Sequence, residues 1–312
     1  MKPKIFSNDR IRAGRSAPPA LRQAMHTIET KGLLSARNGF NLYRGCTHGC
    51  IYCDSRSACY GMNHAFEDVA VKRNAPELLD SALRARRRPC MLSTGSMSDP
   101  YLPLEKDLRL TRRCLEIIRN RGFGLAVLTK SDLILRDFDL LCEINRQAKC
   151  VVQMTLTAWD EPLSRALEPN VCSTRRRVEV LRAFHDAGVP TVAWLCPFLP
   201  FLTDTVENLR ALLSACADAG VYGVITFGFG VTLREGNREF FYRALDARFP
   251  GLKAEYVRRF HNAYACESPN AAQLGQILQS ECARHGIHCD TDALFTYLQT
   301  LPTRQTSLFD SL

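Results

Sequence analysis

Several features that would fix a protein's class at once are missing from this 312-residue chain. The longest apolar run, residues 189–202, is interrupted by prolines and falls short of the roughly 20 residues that a membrane-spanning helix needs. Lys2, Lys4, Arg10, Arg12 and Arg15 break up the first 30 residues before an apolar signal segment can form, so no secretory leader is expected. No repeat recurs at a fixed period and no tract is of low complexity, which argues against a solenoid. Lysine is scarce beside arginine. With 46% hydrophobic and 23% charged residues, 18 Gly and 15 Pro, the composition is that of an ordinary globular protein. Disordered, collagen-like and coiled-coil chains are thereby excluded.

Cysteine, by contrast, is abundant, with 14 residues. Disulfide-dense scaffolds are mostly small secreted domains, and a chain of this length needs no such staples. A soluble, cytoplasmic, reducing setting is therefore expected, with no membrane partner and with thiols free or bound to metal. The formal net charge is +9, and basic runs occur at 84–88, at 175–177 and at Arg112 with Arg113. A basic surplus concentrates polyanions, which makes nucleic acid a candidate partner. Each run taken alone reads equally as a solvated helix face.

Short β-branched or apolar runs at 40–43, 90–93, 125–129, 151–157, 191–196 and 222–229 alternate with helical patterns at 76–87, 105–120, 132–147, 173–187 and 203–219. Asp132, Ser173 and Thr203 are placed to cap helix starts, and Gly122, Gly188 and Gly220 fall where helices end. About six β/α units imply an α/β fold with a parallel sheet, better suited to a partial (β/α)6 TIM-like barrel than to a closed eightfold one. Beyond 229 the periodicity is helical, with helices expected at 237–247, 271–285 and 291–300 as a C-terminal cap over or beside the barrel mouth. The expected organisation is an N-terminal extension (1–38), a barrel (39–236), a helical C-terminal region (237–301) and a tail (302–312).

The strongest chemical signal is Gly45-Cys46-Thr47-His48-Gly49-Cys50-Ile51-Tyr52-Cys53, directly after the first expected strand. A CxxxCxxC loop can turn three sulfurs toward one centre, and its two glycines permit the tight backbone this requires. Soft thiolates select iron–sulfur clusters, zinc or Cu(I). A structural zinc wants four closed ligands, whereas three leave a position open. Zinc stays an alternative, since Cys59 or His48 can supply a fourth ligand; Cx3Cx2Cx5C is not among the usual zinc spacings.

This motif resembles that of the radical S-adenosylmethionine (SAM) superfamily. The resemblance implies a [4Fe–4S] cluster on Cys46, Cys50 and Cys53, SAM chelated to the fourth iron and cleaved to a 5′-deoxyadenosyl radical, and Tyr52 near the adenine. It also implies an electron donor such as flavodoxin or ferredoxin. The segments NLYRGCTHGCIYCDSRSACYGM (41–62), STGSMSDPYLPLEKDLRL (93–110), TKSDLILRDFD (129–139), PFLPFLTDT (197–205) and NAYACESPN (262–270) resemble the spore photoproduct lyase family, also labelled DNA repair photolyase-like. The likeness runs from about residue 38 to 286. It departs from those lyases at 47–49 and 54–62, which leaves the substrate open.

Residues 94–99 stand where the superfamily hydrogen-bonds the SAM amine, which points to Gly95, Ser96 and Asp99. Thr155 and Thr157 close the fourth expected strand, within reach of the SAM ribose or carboxylate. Lys130 and Arg234 follow strands and can neutralise a carboxylate or phosphate. Cys196 and Cys266 are candidate hydrogen-atom donors, a role that a cysteine fills in spore photoproduct lyase. Cys114, Cys142, Cys216 and Cys282 read as core residues. In the tail, Gln305, Leu308 and Phe309 resemble the anchors of the bacterial sliding-clamp-binding pentapeptide.

These features imply a radical SAM enzyme, of lyase type and acting on nucleic acid in the manner of DNA lesion repair. The alternatives are radical SAM modification of RNA, protein or a small molecule, and, from another class, a zinc-binding nucleic-acid-binding protein without catalysis.

Overall fold

The computed structural model describes residues 25–302. The expected tail anchors Gln305, Leu308 and Phe309 lie outside them, as does most of the N-terminal extension. Eleven strands are described: β1 (Met25–Ile28), β2 (Gly39–Phe40), β3 (Tyr43–Arg44), β4 (Val69–Lys72), β5 (Met91–Thr94), β6 (Gly124–Thr129), β7 (Cys150–Thr155), β8 (Thr191–Trp194), β9 (Gly223–Ile225), β10 (Gly230–Thr232) and β11 (Ala265–Glu267). The main sheet has six parallel strands in the order β2-β5-β6-β7-β8-β9. This is the open barrel expected from the β/α alternation. Strand β7 is buried along its whole length, and β6 at all but one residue. Parallel strands covered on both faces are written as near-continuous apolar runs, which is why these were legible.

The helices are α1 (Ala75–Arg84), α2 (Glu105–Leu108), α3 (Leu110–Arg121), α4 (Phe138–Gln147), α5 (Glu161–Leu167), α6 (Thr174–Asp186), α7 (Val206–Asp218), α8 (Asn237–Arg248), α9 (Leu252–Phe260), α10 (Ala271–His285) and α11 (Thr291–Gln299). Ser173 caps α6 by accepting from the Arg176 amide, and Gly122 ends α3 at φ +69° with its neighbour Phe123 bonding back to Ile118.

Other expectations are corrected. The helix expected over 105–120 breaks at Arg109, which takes φ +48°. Glu105, fully buried, accepts the Thr111 amide on its carboxylate at 2.7 Å, so that amide is unavailable to continue the helical ladder. Thr203 is no helix cap: its hydroxyl accepts from the Leu199 amide, and Thr205 caps α7 two residues later. Ser131 rather than Asp132 caps the turn before α4, while Asp132 pairs with Arg176 at 3.0 Å.

The single strand expected over 40–43 is two strands in different sheets. β2 joins the barrel, whereas β3 pairs antiparallel with β4, itself parallel to β1. The run at 222–229 likewise ends at Ile225. The chain then turns and pairs β10 antiparallel with β11, a strand inside the region expected to be helical.

The C-terminal helices divide their work. α8 and α9 stand beside the mouth, where Phe241, Leu245 and Tyr256 pack with Ile51 and Leu167 behind the cysteine loop. α11 lies across the opposite end, its Leu294 and Leu298 packed on Met91, Ala126, Val151, Val192 and Ile225 of the sheet. Gly223 makes room for it, since a Cβ there would meet Leu294 at 2.5 Å. Lys149 holds the end of this helix, donating to the Tyr297 and Thr300 carbonyls. No described helix is long and apolar enough to cross a membrane.

Candidate active site

β3 delivers the chain into the cysteine loop at the C-terminal end of the barrel, where loops of such folds gather. Gly45 takes φ +93°, and a Cβ there would come within 2.5 Å of the Phe66 carbonyl. That same carbonyl accepts the Cys46 amide at 2.9 Å. Ile51, 1% exposed, anchors the far side, its amide bonded to the Leu167 carbonyl. Burying such a side chain is worth about 1.5–3 kcal/mol, enough to hold a loop that has little regular structure.

Cys46, Cys50 and Cys53 line one cavity of about 680 Å³. Burial pushes the Cys46 thiol well above its ordinary value, and the other two thiols add to the effect. Burial also pushes Cys50 up to about 12, against the pull of Lys130. Of the fourth zinc ligands that the sequence offered, His48 lines the same cavity and Cys59 does not. Cys59 is exposed and accepts from Arg234 at 3.2 Å, and His48 faces Asp99 at 3.5 Å. Three soft donors lining a cavity with an open side fit an iron–sulfur cluster.

Gly95, Ser96, Met97, Ser98 and Asp99 form the adjoining wall. Gly95 is obligatory for a reason that the sequence did not show. At φ +98°, a Cβ there would lie 1.9 Å from the Leu128 carbonyl at the end of β6. Gly95→Ala is therefore expected to cost at least about 2–3 kcal/mol. Gly61→Ala, also at positive φ but with open space around it, should cost nearer ~1 kcal/mol; urea melts of the two variants compare them.

Asp99 braces the mouth. Its Oδ1 accepts from the Tyr101 amide and the Thr129 hydroxyl, and its Oδ2 from the Lys130 amide. Ser98 donates to the Gly45 carbonyl at 2.6 Å, tying this wall to the cysteine loop. Burial holds the His48 imidazole below its usual pKa against the pull of Asp99.

Behind the loop lies a charge network that sequence reasoning missed. The Tyr52 hydroxyl donates to Glu168, and Thr157 bonds both, at 3.1 Å to Tyr52 and 3.2 Å to Glu168. Arg177 closes the network, donating to Glu168, to the Thr155 carbonyl and to the Cys172 carbonyl. Glu168 and Arg177 are both fully buried. Burial raises the Glu168 pKa, but Arg177, Lys130 and the Tyr52 hydroxyl bring it below its ordinary value, so the carboxylate stays ionised. Arg177 sits in a basic run that read as solvated, and no local pattern marks Glu168. Of the two strand-end threonines, Thr155 lines the cavity, whereas Thr157 is committed to the network.

The opposite wall comes from β10, β11 and the end of β8. It brings Cys196 and Cys266 into the same cavity, with Trp194, Phe227 and Tyr264 around it. Burial pushes the Cys196 thiol up to about 12 and the Cys266 thiol to about 11. At pH 8 only about one Cys196 in 10,000 and one Cys266 in 1,000 is then a thiolate. Brief alkylation with iodoacetamide, read by peptide mass spectrometry, is expected to label the exposed Cys59 and leave both of these unmodified. Lys130 completes the cavity. Burial lowers its pKa, but Cys50 and Glu168 raise it more, so the ammonium persists. Arg234 stands outside, bonded to the Tyr264 hydroxyl at 2.6 Å.

A family model described as the radical SAM superfamily matches residues 40–213. An uncharacterized protein of Mycobacterium tuberculosis is 31% identical over 248 residues, 75% of this chain and 70% of that protein. An uncharacterized protein of Methanocaldococcus jannaschii is 32% identical over 184 residues, 58% of this chain and 68% of that one. Among solved structures, a variant of spore photoproduct lyase superposes with a TM-score of 0.62 at 14% identity, covering 89% of this chain and 87% of the other. The radical SAM methyltransferase TsrM from Kitasatospora setae, solved with cobalamin and a [4Fe–4S] cluster, gives a TM-score of 0.51 at 15% identity over 80% of this chain and 52% of its own. At such identities these two likenesses show the shared fold.

Proposed function

We propose, from the premise that this chain belongs to the radical SAM superfamily, an enzyme that binds a nucleic acid substrate against its cysteine loop. The superfamily's cofactors are a [4Fe–4S] cluster and SAM, which together supply a 5′-deoxyadenosyl radical from an electron delivered by a reduced donor such as flavodoxin or ferredoxin. The observation that carries the reading is the single cavity that joins Cys46, Cys50 and Cys53 to the 95–99 wall, Lys130 and the Cys196 and Cys266 thiols.

In this reading Cys46, Cys50 and Cys53 hold the cluster. Carbonyls of the segment at Gly95 and Ser96 accept from the SAM ammonium, while Asp99 keeps that segment and the Lys130 strand end in register. Thr155 and the Lys130 ammonium face the SAM carboxylate and ribose. Tyr52, its hydroxyl fixed by Glu168, lines the same cavity and would lie near the adenine. Cys196 or Cys266 would give a hydrogen atom to the substrate-derived radical, leaving a thiyl radical that an electron from the reduced donor and a proton return to the thiol. Such a donor must keep its hydrogen on sulfur, and thiols with pKa values near 12 and 11 do so at neutral pH.

The rim favours nucleic acid among substrates. Phe227 is 65% exposed and Tyr264 49% exposed, with Phe227 packed edge-on to Trp194 at 5.6 Å. Exposed rings at the rim of a cavity are stacking platforms for bases turned out of a helix. Arg234, its guanidinium 4.9 Å from the Tyr264 ring and 3.5 Å from Asp54, is a basic group on this rim that a phosphate would have to draw from its carboxylate. The sequence resemblance to DNA repair photolyase-like proteins leads in the same direction and suggests lyase chemistry. A sliding clamp, reached through Gln305, Leu308 and Phe309, would bring such an enzyme to replicated DNA.

The test offers ultraviolet-irradiated duplex, undamaged single strands and RNA to the reconstituted, reduced protein with SAM. One class of nucleic acid is expected to raise 5′-deoxyadenosine formation, and its binding to weaken with salt. No stimulation by any of them, together with salt-independent binding, would discard the nucleic-acid reading in favour of a protein or small-molecule substrate.

A further inference from the structure

Away from the cavity, on the small sheet that backs the cysteine loop, two histidines and an aspartate converge. His26 is the second residue of β1, and Asp68 immediately precedes β4. The parallel register of these strands, Met25 opposite Val69 and His26 opposite Ala70, brings the two together. His26 Nδ1 lies 3.1 Å from Asp68 Oδ1. His64 reaches the same point from the segment before β4, its ring 4.9 Å from that of His26 and nearly perpendicular to it. One ligand atom from each residue lies within 4.8 Å of the others; among the described residues this is the one such group of three.

The decisive detail is the tautomer of His64. Its Nδ1 sits 3.0 Å from the Ala65 carbonyl, and a carbonyl only accepts, so Nδ1 carries the hydrogen. The lone pair is therefore on Nε2, which is buried and has no hydrogen-bond partner. A buried acceptor left unsatisfied calls for an explanation, and an imidazole whose remote N–H is fixed by a backbone carbonyl is how metal-binding histidines are held.

We propose that His26, His64 and Asp68 bind a zinc-class divalent ion. Two imidazoles and a carboxylate suit zinc, and three protein ligands leave a fourth position for water. The ion would join β1 to the turn at 65–68, which is closed by the Asp68 amide on the Ala65 carbonyl. Phe66 in that turn accepts the Cys46 amide, so the ion braces the backbone on which the cysteine loop rests. This inference does not depend on the reaction proposed above.

The experiment uses the full chain, reconstituted anaerobically with iron and then equilibrated with zinc, and measures both metals per chain. One zinc is expected beside the iron. His26→Ala and His64→Ala should lose the zinc and keep the iron, whereas the triple Cys46→Ala, Cys50→Ala, Cys53→Ala variant should lose the iron and keep the zinc. With Co(II) in place of zinc, absorption is expected in the visible d–d region without a thiolate charge-transfer band. His64→Gln, with a metal-free melting curve like that of the parent, separates lost binding from lost folding: it should show no zinc-dependent rise in melting temperature. Zinc that is absent from the parent protein, that survives in both His64 variants, or that leaves only with the cysteines would overturn the proposal.

Discussion

Replacing any one of Cys46, Cys50 or Cys53 by alanine is expected to bleach the protein. Anaerobic reconstitution of the parent should give a brown protein with absorption near 400 nm and about four irons per chain. Each variant should fall toward background in both. The reason is the geometry of the loop, whose three thiols line one wall of the cavity, while its other two cysteines, Cys196 and Cys266, come from the opposite wall. Burial disfavours ionisation of Cys46 and Cys50, so a bound cation is needed to offset the cost of their thiolates. Two remaining thiols leave a second iron open to solvent. Cys114→Ala, in the core at 1% exposure, should keep its colour and lose only about 1–2 kcal/mol of stability.

The second large effect concerns Glu168, which touches none of the cysteines. Glu168→Ala leaves the fully buried Arg177 guanidinium without its counter-charge. Breaking such a pair from one side costs about 3–5 kcal/mol, which for a chain of this size lowers the melting temperature by roughly 10 °C. Replacing both partners, Glu168→Leu with Arg177→Met, should recover most of the loss, because no buried charge then remains. Acid titration supplies a further check. The folded protein holds Glu168 below its ordinary pKa of 4.5, so as pH falls the unfolded chain takes up a proton first. The stabilisation is complete above that ordinary value and is lost as pH falls through the folded one. The single and double variants should lack this component in thermal melts across pH. The single variant also removes one of the two hydrogen bonds on the Tyr52 hydroxyl, so in the proposed arrangement SAM affinity should fall along with stability.

How much of this was legible in the sequence depended on how local the signal was. Strands β5 to β8 were recognisable within a residue or two because buried parallel strands are written as apolar runs. The cysteine loop was legible because three cysteines fall within eight residues. Two-residue strands such as β2 and β3 carry no periodicity, so their division between two sheets left no trace. β10 and β11 pair across distant segments, and Gly230 was the available hint: a Cβ there would meet the Cys266 carbonyl at 2.5 Å. Arg177 and Glu168 find each other only in the folded chain, and there a residue of an apparently solvated basic run becomes the most buried charge beside the site. His26, His64 and Asp68 likewise come from separate elements with no common motif. Cys196 and Cys266, chosen for their surroundings in sequence, do meet in one cavity.

Reductive cleavage of SAM bears most directly on the central claim. The reconstituted protein, reduced with dithionite without oxygen, is predicted to convert SAM to methionine and 5′-deoxyadenosine, while the triple cysteine variant forms none. A protein with a full complement of iron and bound SAM that yields no 5′-deoxyadenosine on reduction, with or without nucleic acid, would contradict radical SAM chemistry in this cavity.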